Sequence, residues 1–353
     1  MDIGTSEIDA EELALLTATL NELARAHDGA ELSKALDDFG FPAVLAAAPR
    51  EAVSSLFTAM GQAGTTSAAF QDVLLASLAA TNLTVTNLTV TKKASAPLLE
   101  ADDDAAPTVV LPPVGAATAG RVDAGSLELR GLVLGQRANV GVFLAPADSA
   151  DGIVWVRLAG DQAPDRLAIQ SVRGLDPALT LAEVTAAGPA DVVLAGPAAD
   201  GAWRAVVAAG RRALAYQMVG AVTAMLDLGV THARDRVQFG QPIGAFQAVR
   251  HRLADAYVAR EGAAAALNIC WEANDEELAA MLAKSLAGRA ARIAATQCQQ
   301  VLAGIGFTAE HPFHRYLARA LVLDKLLGST SDLPAQIGAR LASAGTLPRL
   351  ADL

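Results

Sequence analysis

The sequence predicts an α+β multidomain protein: an N-terminal all-helical domain, a middle small β-barrel and a C-terminal four-helix bundle. Three observations carry this expectation. Apolar residues recur at helical spacing up to about residue 80, short strand-like segments separated by Gly and Pro follow, and long helical runs fill the remainder. The expected divisions are 1–84, 85–200 and 201–353.

The first region opens with Leu13, Leu16, Leu20 and Leu23 on one helical stripe, continued by Ala24, Leu32, Leu36, Val44 and Leu45. Asp37, Asp38, Gly40 and Pro42 punctuate it as a helix end and turn. Two further runs pass through Val53, Leu56, Phe57 and Met60, then through Phe70, Val73, Leu74 and Leu78.

The texture changes at Asn82–Thr91, where NLTVTNLTVT is β-branched and alternating but too short to be a structural repeat. Pro97, Pro107, Pro112 and Pro113 then break the chain around the acidic run Glu100 to Asp104. Strands are expected at Leu127–Leu129, Val140–Leu144, Ile153–Leu158, Leu167–Val172 and Val192–Leu194, as in a small antiparallel barrel. From Trp203 the spacing is helical again, through Leu214, Met218, Ala221 and Met225, then Phe246, Val249, Leu253 and Ala256/Tyr257. A third helix is expected at about 276–303. Gly304, Gly306 and Pro312 part it from a fourth at about 313–327, which completes an up-and-down bundle.

Composition narrows the function classes. Hydrophobic residues make up 52%, aromatics 4% and charged residues 18%, so there is ample surface to bury and little reason for disorder. A net charge of −11 speaks against nucleic acid, which needs a basic face for its phosphates. Cys270 and Cys298 are too few for a disulfide scaffold and form no paired metal motif, and no metal site is expected. The N-terminus is acidic where a secretory signal would be basic. The most apolar stretch, Ala213 to Met225, is shorter than the ~20 residues that span a bilayer. A soluble, cytoplasmic protein without membrane or nucleic-acid partners is expected.

Two segments carry a family resemblance. The first runs His232-Ala-Arg-Asp-Arg236-Val-Gln238-Phe239-Gly240-Gln-Pro242-Ile243-Gly-Ala-Phe246-Gln247, followed by Leu253-Ala254-Asp255. The second runs Gln300-Val-Leu-Ala-Gly304-Ile-Gly306-Phe307-Thr-Ala-Glu310-His311-Pro312, ahead of a helix with Arg315 or Arg319 near its middle. Both resemble acyl-CoA dehydrogenase signatures, and the order helical, barrel, helical resembles that family's plan. The resemblance implies FAD shared at a subunit interface, where the bundle of one subunit reaches the adenine and pyrophosphate end of its neighbour's flavin. Cofactor contact then falls on Arg236, Gln238, Phe239, Gln247, Gln300 and Gly304. Arginine supplies a fixed charge with a donor fork for pyrophosphate, Phe239 a ring, the glutamines their amides, and the glycines a close approach.

The chain departs from the pattern where chemistry is done. The family abstracts the substrate α-proton with a Glu carboxylate while the flavin takes the β-hydride. Leu327, before Gly328, stands at the usual Glu position, and about Gly210, beside Ala209 and Arg211, stands at the alternative one. Asp324 is the nearest carboxylate and is read as a solvated or salt-bridged helix residue beside Lys325; Arg211 is as well explained by a surface position as by one near a thioester. The flavin-ring segments are also unrecognisable. The region near 97–113 is Pro-rich and acidic, Gln136-Arg137-Ala138-Asn139 stands where an aromatic segment belongs, and Trp155 reads as a packing residue.

The family resemblance therefore suggests a non-catalytic subunit of an α2β2 acyl-CoA dehydrogenase, of the kind that shortens steroid side chains in actinobacteria. Such a subunit completes the FAD site of a homologous catalytic partner. Its substrate is an acyl-CoA thioester, a steroid-CoA among the possibilities, and electron-transfer flavoprotein is the acceptor by family analogy. Two alternatives stay open: an active homotetramer with an unrecognised base such as Asp324, and a flavin-free scaffold on the same fold.

Overall fold

A computed structural model describes residues 10–81, 106–135, 140–159 and 167–345 of the chain. The doubled NLTVT, the acidic run and Gln136 to Asn139 lie outside the described residues. Five helices come first: α1 (Ala10–Ala26), α2 (Gly29–Phe39), α3 (Phe41–Ala47), α4 (Pro49–Ala63) and α5 (Ala69–Ala80). Leu20 is fully buried on α1, with Leu16 and Leu23 packed against the core beside it, whereas Leu13 is exposed. Gly40, in the left-handed region, separates α2 from α3, and Pro42 occupies the first turn of α3. Asp28 caps α2 through Gly29 N–H at 2.8 Å. The same carboxylate takes Thr66 N–H at 2.7 Å, tying the start of α2 to the α4–α5 turn.

Eight strands follow: β1 (Ala106–Val109), β2 (Gly120–Asp123), β3 (Ser126–Leu134), β4 (Val140–Ser149), β5 (Gly152–Ala159), β6 (Leu167–Ser171), β7 (Leu181–Pro189) and β8 (Asp191–Leu194). They form one sheet in the order β6-β7-β3-β2-β4-β5-β8, with β1 parallel to β4. In β3 the alternation is direct: Leu127 and Leu129 are buried, Glu128 and Arg130 exposed. Leu129, Val133, Phe143, Ala145, Val156 and Val184 belong to a core enclosed by the sheet, while Leu111, Leu144 and Trp155 face the helices. The sheet thus rolls around its own small interior and lays its other side on the bundle. The longest unanticipated strand is β7. Its buried positions are Ala182, Val184 and Ala186, so two of three lack the β-branched side chains that mark a strand in sequence.

The C-terminal part is built on α6 (Pro197–Asp235), a 39-residue helix buried on nearly every side. Its sequence shows one apolar stripe, but small residues let neighbours approach the other faces too. A Cβ on Gly220 would lie 2.2 Å from Thr58 O, and one on Gly61 would lie 2.1 Å from Gln217 O, so α4 and α6 cross almost backbone to backbone. The helix is long and apolar enough to cross a membrane by length and composition, yet 78% of its apolar window is buried inside the fold. The hairpin of β9 (Val237–Gln238) and β10 (Gln241–Pro242) leads into α7 (Gln247–Ile269), and α8 (Glu276–Leu302) and α9 (Phe313–Lys325) follow. On α7 the buried positions are Ala256, Ala263 and Leu267, and Tyr257 faces outward.

A fifth helix, α10 (Leu333–Ala344), extends the expected bundle of four. Leu333 and Ile337 pack on Leu278 and Met281 of α8, and Arg340 bonds Glu277 at 2.6 Å and both Asp275 oxygens at 2.9 Å. The run LPAQIGARLASA carries Leu333, Ile337 and Leu341 at helical spacing and packs on α8 beyond the fourth expected helix.

Gly220→Ala should lower stability by about 2–3 kcal/mol, because overpacking a backbone-to-backbone crossing forces α4 and α6 apart. Urea unfolding of wild type and variant measures it, and an unchanged midpoint would contradict the close crossing.

Candidate functional site

The residues singled out in the two signature segments come to one end of the bundle. The loop from Arg236 to Gln247 closes the α6–α7 connection, with Ile243 N–H bonded to Arg236 O at 2.8 Å. The turn after α8 carries Gly304 to Phe307. Arg252 reaches Gln297 at 2.9 Å, and a Cβ on Gly229 would meet both Leu253 and Cys298, so α6, α7 and α8 are packed tightly just behind this end.

The side chains there are strongly exposed. Arg236, Gln238, Gln247 and Gln300 all face solvent, and no hydrogen bond joins the two segments among the described residues. Phe239 is 93% exposed, adopts a left-handed φ of 53°, and meets Phe246 edge-to-face at 6.1 Å; Phe307 is 76% exposed. Gln238 donates only to its neighbour Val237 O at 2.7 Å, and the Gln247 amide lies 3.3 Å from the His251 ring. Burial, then the charges of His311 and Arg236, hold His232 below the usual histidine range. Gly304 has open space around it, whereas a Cβ on Gly306 would press on Leu302 and Gln299 at 3.0 Å. Of these two glycines only Gly306 is required by the chain's own packing.

A second locus gathers the positions where a base was sought. Gly210 and Leu327 touch: a Cβ on Gly210 would lie 2.5 Å from Leu327 Cδ1, 3.0 Å from Leu74 Cδ2 and 3.5 Å from Phe70 Cζ. Both alternatives for the base therefore converge on one spot, and apolar atoms fill it. Asp324 is neither solvated nor paired with Lys325. It is buried, and its carboxylate accepts from Thr330 N–H at 3.0 Å and from the Thr330 hydroxyl, which consumes it as a cap. Arg211 is not a surface residue either; it is buried and donates from Nε to Leu327 O at 2.9 Å. Burial lowers its pKa to about 10 against the opposing pull of Glu277.

Lys284 was missed by sequence reasoning. It is 0% exposed on α8 and donates to Gly328 O at 2.9 Å and Asp324 O at 3.1 Å. Burial depresses its pKa to about 7, with Asp324 opposing. Its only sequence signal is a lone lysine on the apolar face shared with Leu278, Met281 and Ala287.

Of the arginines offered for the middle of α9, Arg319 is the buried one and Arg315 is exposed. Arg319 forms an ion pair from Nε to Asp176 and donates to Thr65 O at 2.8 Å. Gln217 of α6 donates to the same carbonyl at 3.3 Å.

The segment where the resemblance would put a flavin ring is also apolar. Val109, Val110 and Leu111 are fully buried, and their N–H groups go to Gln71 Oε1, Leu144 O and Leu132 O at 2.7–2.8 Å. Trp155 packs edge-to-face on Trp203 at 5.9 Å and donates to Ala199 O at 3.3 Å. Cys270 and Cys298 are free and buried, and among the described residues no group of His, Cys, Asp or Glu could hold a metal ion. An exposed Arg, two Phe rings and exposed glutamine amides with only local hydrogen bonds at the bundle end fit the remote half of a flavin. Residues 109–111 offer no donor to a ring.

Comparison with known proteins gives the fold and a family match over the C-terminal part. Residues 202–342 match the acyl-CoA dehydrogenase C-terminal domain. Acyl-CoA dehydrogenase FadE34 of Mycobacterium tuberculosis is 36% identical over 226 residues, covering 62% of this chain and 30% of that protein. Acyl-CoA dehydrogenase IpdE2 of Mycolicibacterium smegmatis is 39% identical over 115 residues, 33% of this chain and 37% of that protein. The matches thus span about a third of these curated relatives. Among solved structures, the Tcur3481–Tcur3483 steroid ACAD has a TM-score of 0.73 at 20% identity, over 95% of this chain and 99% of that one. The ChsE4–ChsE5 complex from Mycobacterium tuberculosis has a TM-score of 0.73 at 22% identity, over 97% and 99%. The fold is that of these proteins.

Two outcomes follow from the buried charges. Arg319→Ala should cost about 3–5 kcal/mol, since it strands the Asp176 carboxylate in the interior, and calorimetry would register a large fall in Tm. Lys284 has a folded pKa near 7 against an unfolded value of 10.5. Between those values the unfolded chain holds the extra proton, so its contribution to stability falls as pH drops from about 10.5 to 7, then levels off. Subtracting denaturation profiles of Lys284→Met from wild type should isolate that slope; coincident profiles would refute it.

Proposed function

We propose that this chain, whose residues 202–342 are an acyl-CoA dehydrogenase C-terminal domain on that family's fold, is the non-catalytic subunit of a heteromeric acyl-CoA dehydrogenase. The contact of Leu327 with Gly210 carries the reading: where a carboxylate would have to sit, two positions meet as hydrocarbon and backbone. Leucine accepts no proton, and the one nearby carboxylate, Asp324, is turned into a cap. A homologous partner must then supply the base that removes the substrate α-proton.

This chain's part is at the exposed end of the bundle. A bound flavin would supply the hydride acceptor for the β-carbon. Arg236 would pair with the negative pyrophosphate, Phe239 would lie against the cofactor, and Gln238, Gln247 and Gln300 would donate amide hydrogens, with Gly304 leaving room. Exposed aromatic rings such as Phe239 and Phe307 are costly to leave in water, and a partner surface would cover them. Solved structures of similar fold include the ChsE4–ChsE5 complex and the Tcur3481–Tcur3483 steroid ACAD, which supports an assembly of two unlike chains and a steroid-CoA thioester as substrate class. Electron-transfer flavoprotein as acceptor and a cytoplasmic location complete the proposal.

Expression of the chain alone and together with its candidate partner, followed by flavin absorbance and acyl-CoA-dependent dye reduction, tests the assignment. Flavin and turnover should appear only in the co-expressed complex. Turnover by the chain alone would restore the active homotetramer, and no flavin in any complex would leave a scaffold. In the complex Arg236→Ala should weaken FAD retention about 10- to 100-fold, the size of a lost charge-assisted hydrogen bond. Leu327→Glu should not create activity by itself.

A further inference from the structure

The turn after α9 is held more firmly than a missing base requires. Leu327 lies in the left-handed region at φ 55°, and Gly328 follows at φ 101°. A β-carbon disfavours that conformation, which glycine adopts without penalty, so surrounding contacts must impose it on a leucine. Three backbone carbonyls of the turn are taken by buried cations: Asp324 O and Gly328 O by Lys284, and Leu327 O by Arg211. The Asp324 carboxylate closes the far side through Thr330. Asp324 O is one of the carbonyls that α9 leaves without an intrahelical partner at its C-terminus, where positive charge is favoured, and Leu327 O and Gly328 O lie just beyond that end.

The geometry points to a latch and plug: Lys284 and Arg211 hold the 324–330 turn so that Leu327 stays seated on Gly210 between Leu74 and Phe70, filling the apolar space between α5 and α6 at that point. A smaller side chain at 327 would leave that space able to admit an apolar group. The seated leucine makes it inaccessible, so a ligand offered to the complex is directed to the partner's site. Leu327 itself is only half-buried, whereas Gly210, Leu74 and Phe70 beneath it are buried, as a stopper on a lined floor requires. The charged groups facing Lys284 are Asp324, which favours its ammonium, and Arg211 and Lys325, which oppose it. Lys284 and Arg211 are positioning residues: neither needs to touch a substrate to act.

Toluene serves as the apolar probe on the full-length chain, read by the change in Tm and by amide exchange at residues 326–330. Wild type should show no toluene-dependent shift, and Leu327→Ala should gain a rise of several degrees as the space opens. Lys284→Met should speed exchange at Leu326 and Thr330 at least tenfold. If that variant does not fold, Arg211→Leu, which frees only Leu327 O, should do the same at smaller amplitude. An equal toluene shift in wild type, no shift in Leu327→Ala, or unaltered exchange in the latch variants would overturn the inference. The readouts concern the space at Leu327 and not flavin or turnover, so they can fail without the non-catalytic reading failing, and the reverse.

Discussion

Everything in this molecule hangs on where a buried arginine can be satisfied. Arg319 sits midway along α9 with no route to water, and an uncompensated guanidinium there would cost more than most other contacts return. It is satisfied by Asp176, in the segment that leads into β7, and by the carbonyl of Thr65, between α4 and α5. The three parts of the chain therefore meet at one side chain. Gln217 on α6 reaches the same carbonyl, and Gln71 on α5 bonds the backbone of β1 and β3, so the polar joints between the parts are short and buried.

That joint sets the direction of α9 and hence the place of its C-terminal turn. With the helix fixed, its last carbonyls point at α6 and α8, where Arg211 and Lys284 meet them. The same backbone that could present a carboxylate to a substrate here presents Leu327 to Gly210. Activity at such a position depends on one side chain, but the turn carrying it depends on contacts from three helices. The shape of that turn therefore does not depend on which side chain occupies position 327.

The distribution of charge follows the same division. Inside, cations are used to close backbone carbonyls and one carboxylate, and little is left over. Outside, at the Arg236 end, Phe239 and Phe307 stand in water, and the amides of Gln238 and Gln247 make only local contacts. Most of the buried charge is satisfied within the single chain, although Thr65 Oγ1, Arg212 Nε and Gln299 Nε2 are buried without a hydrogen-bond partner.

The sequence by itself determined the helical–sheet–helical order, the helix starts and stops set by Gly40, Pro42 and Pro312, and the signature around Arg236 and Gln300. These are local or short-range properties, carried by periodicity and turn chemistry. It also determined that residues 210 and 327 hold no carboxylate, because identity needs no coordinates. Only the tertiary structure decided that those two residues touch, that Asp324 is buried as a cap, that Arg211 is interior, and that a lone Lys284 closes the turn. Strand β7 likewise took shape only through its partners, since Ala182 and Ala186 carry too little pattern alone. The physical reason is common to all of them: burial and pairing depend on residues tens to hundreds of positions away, and no period in the chain records which of them arrive.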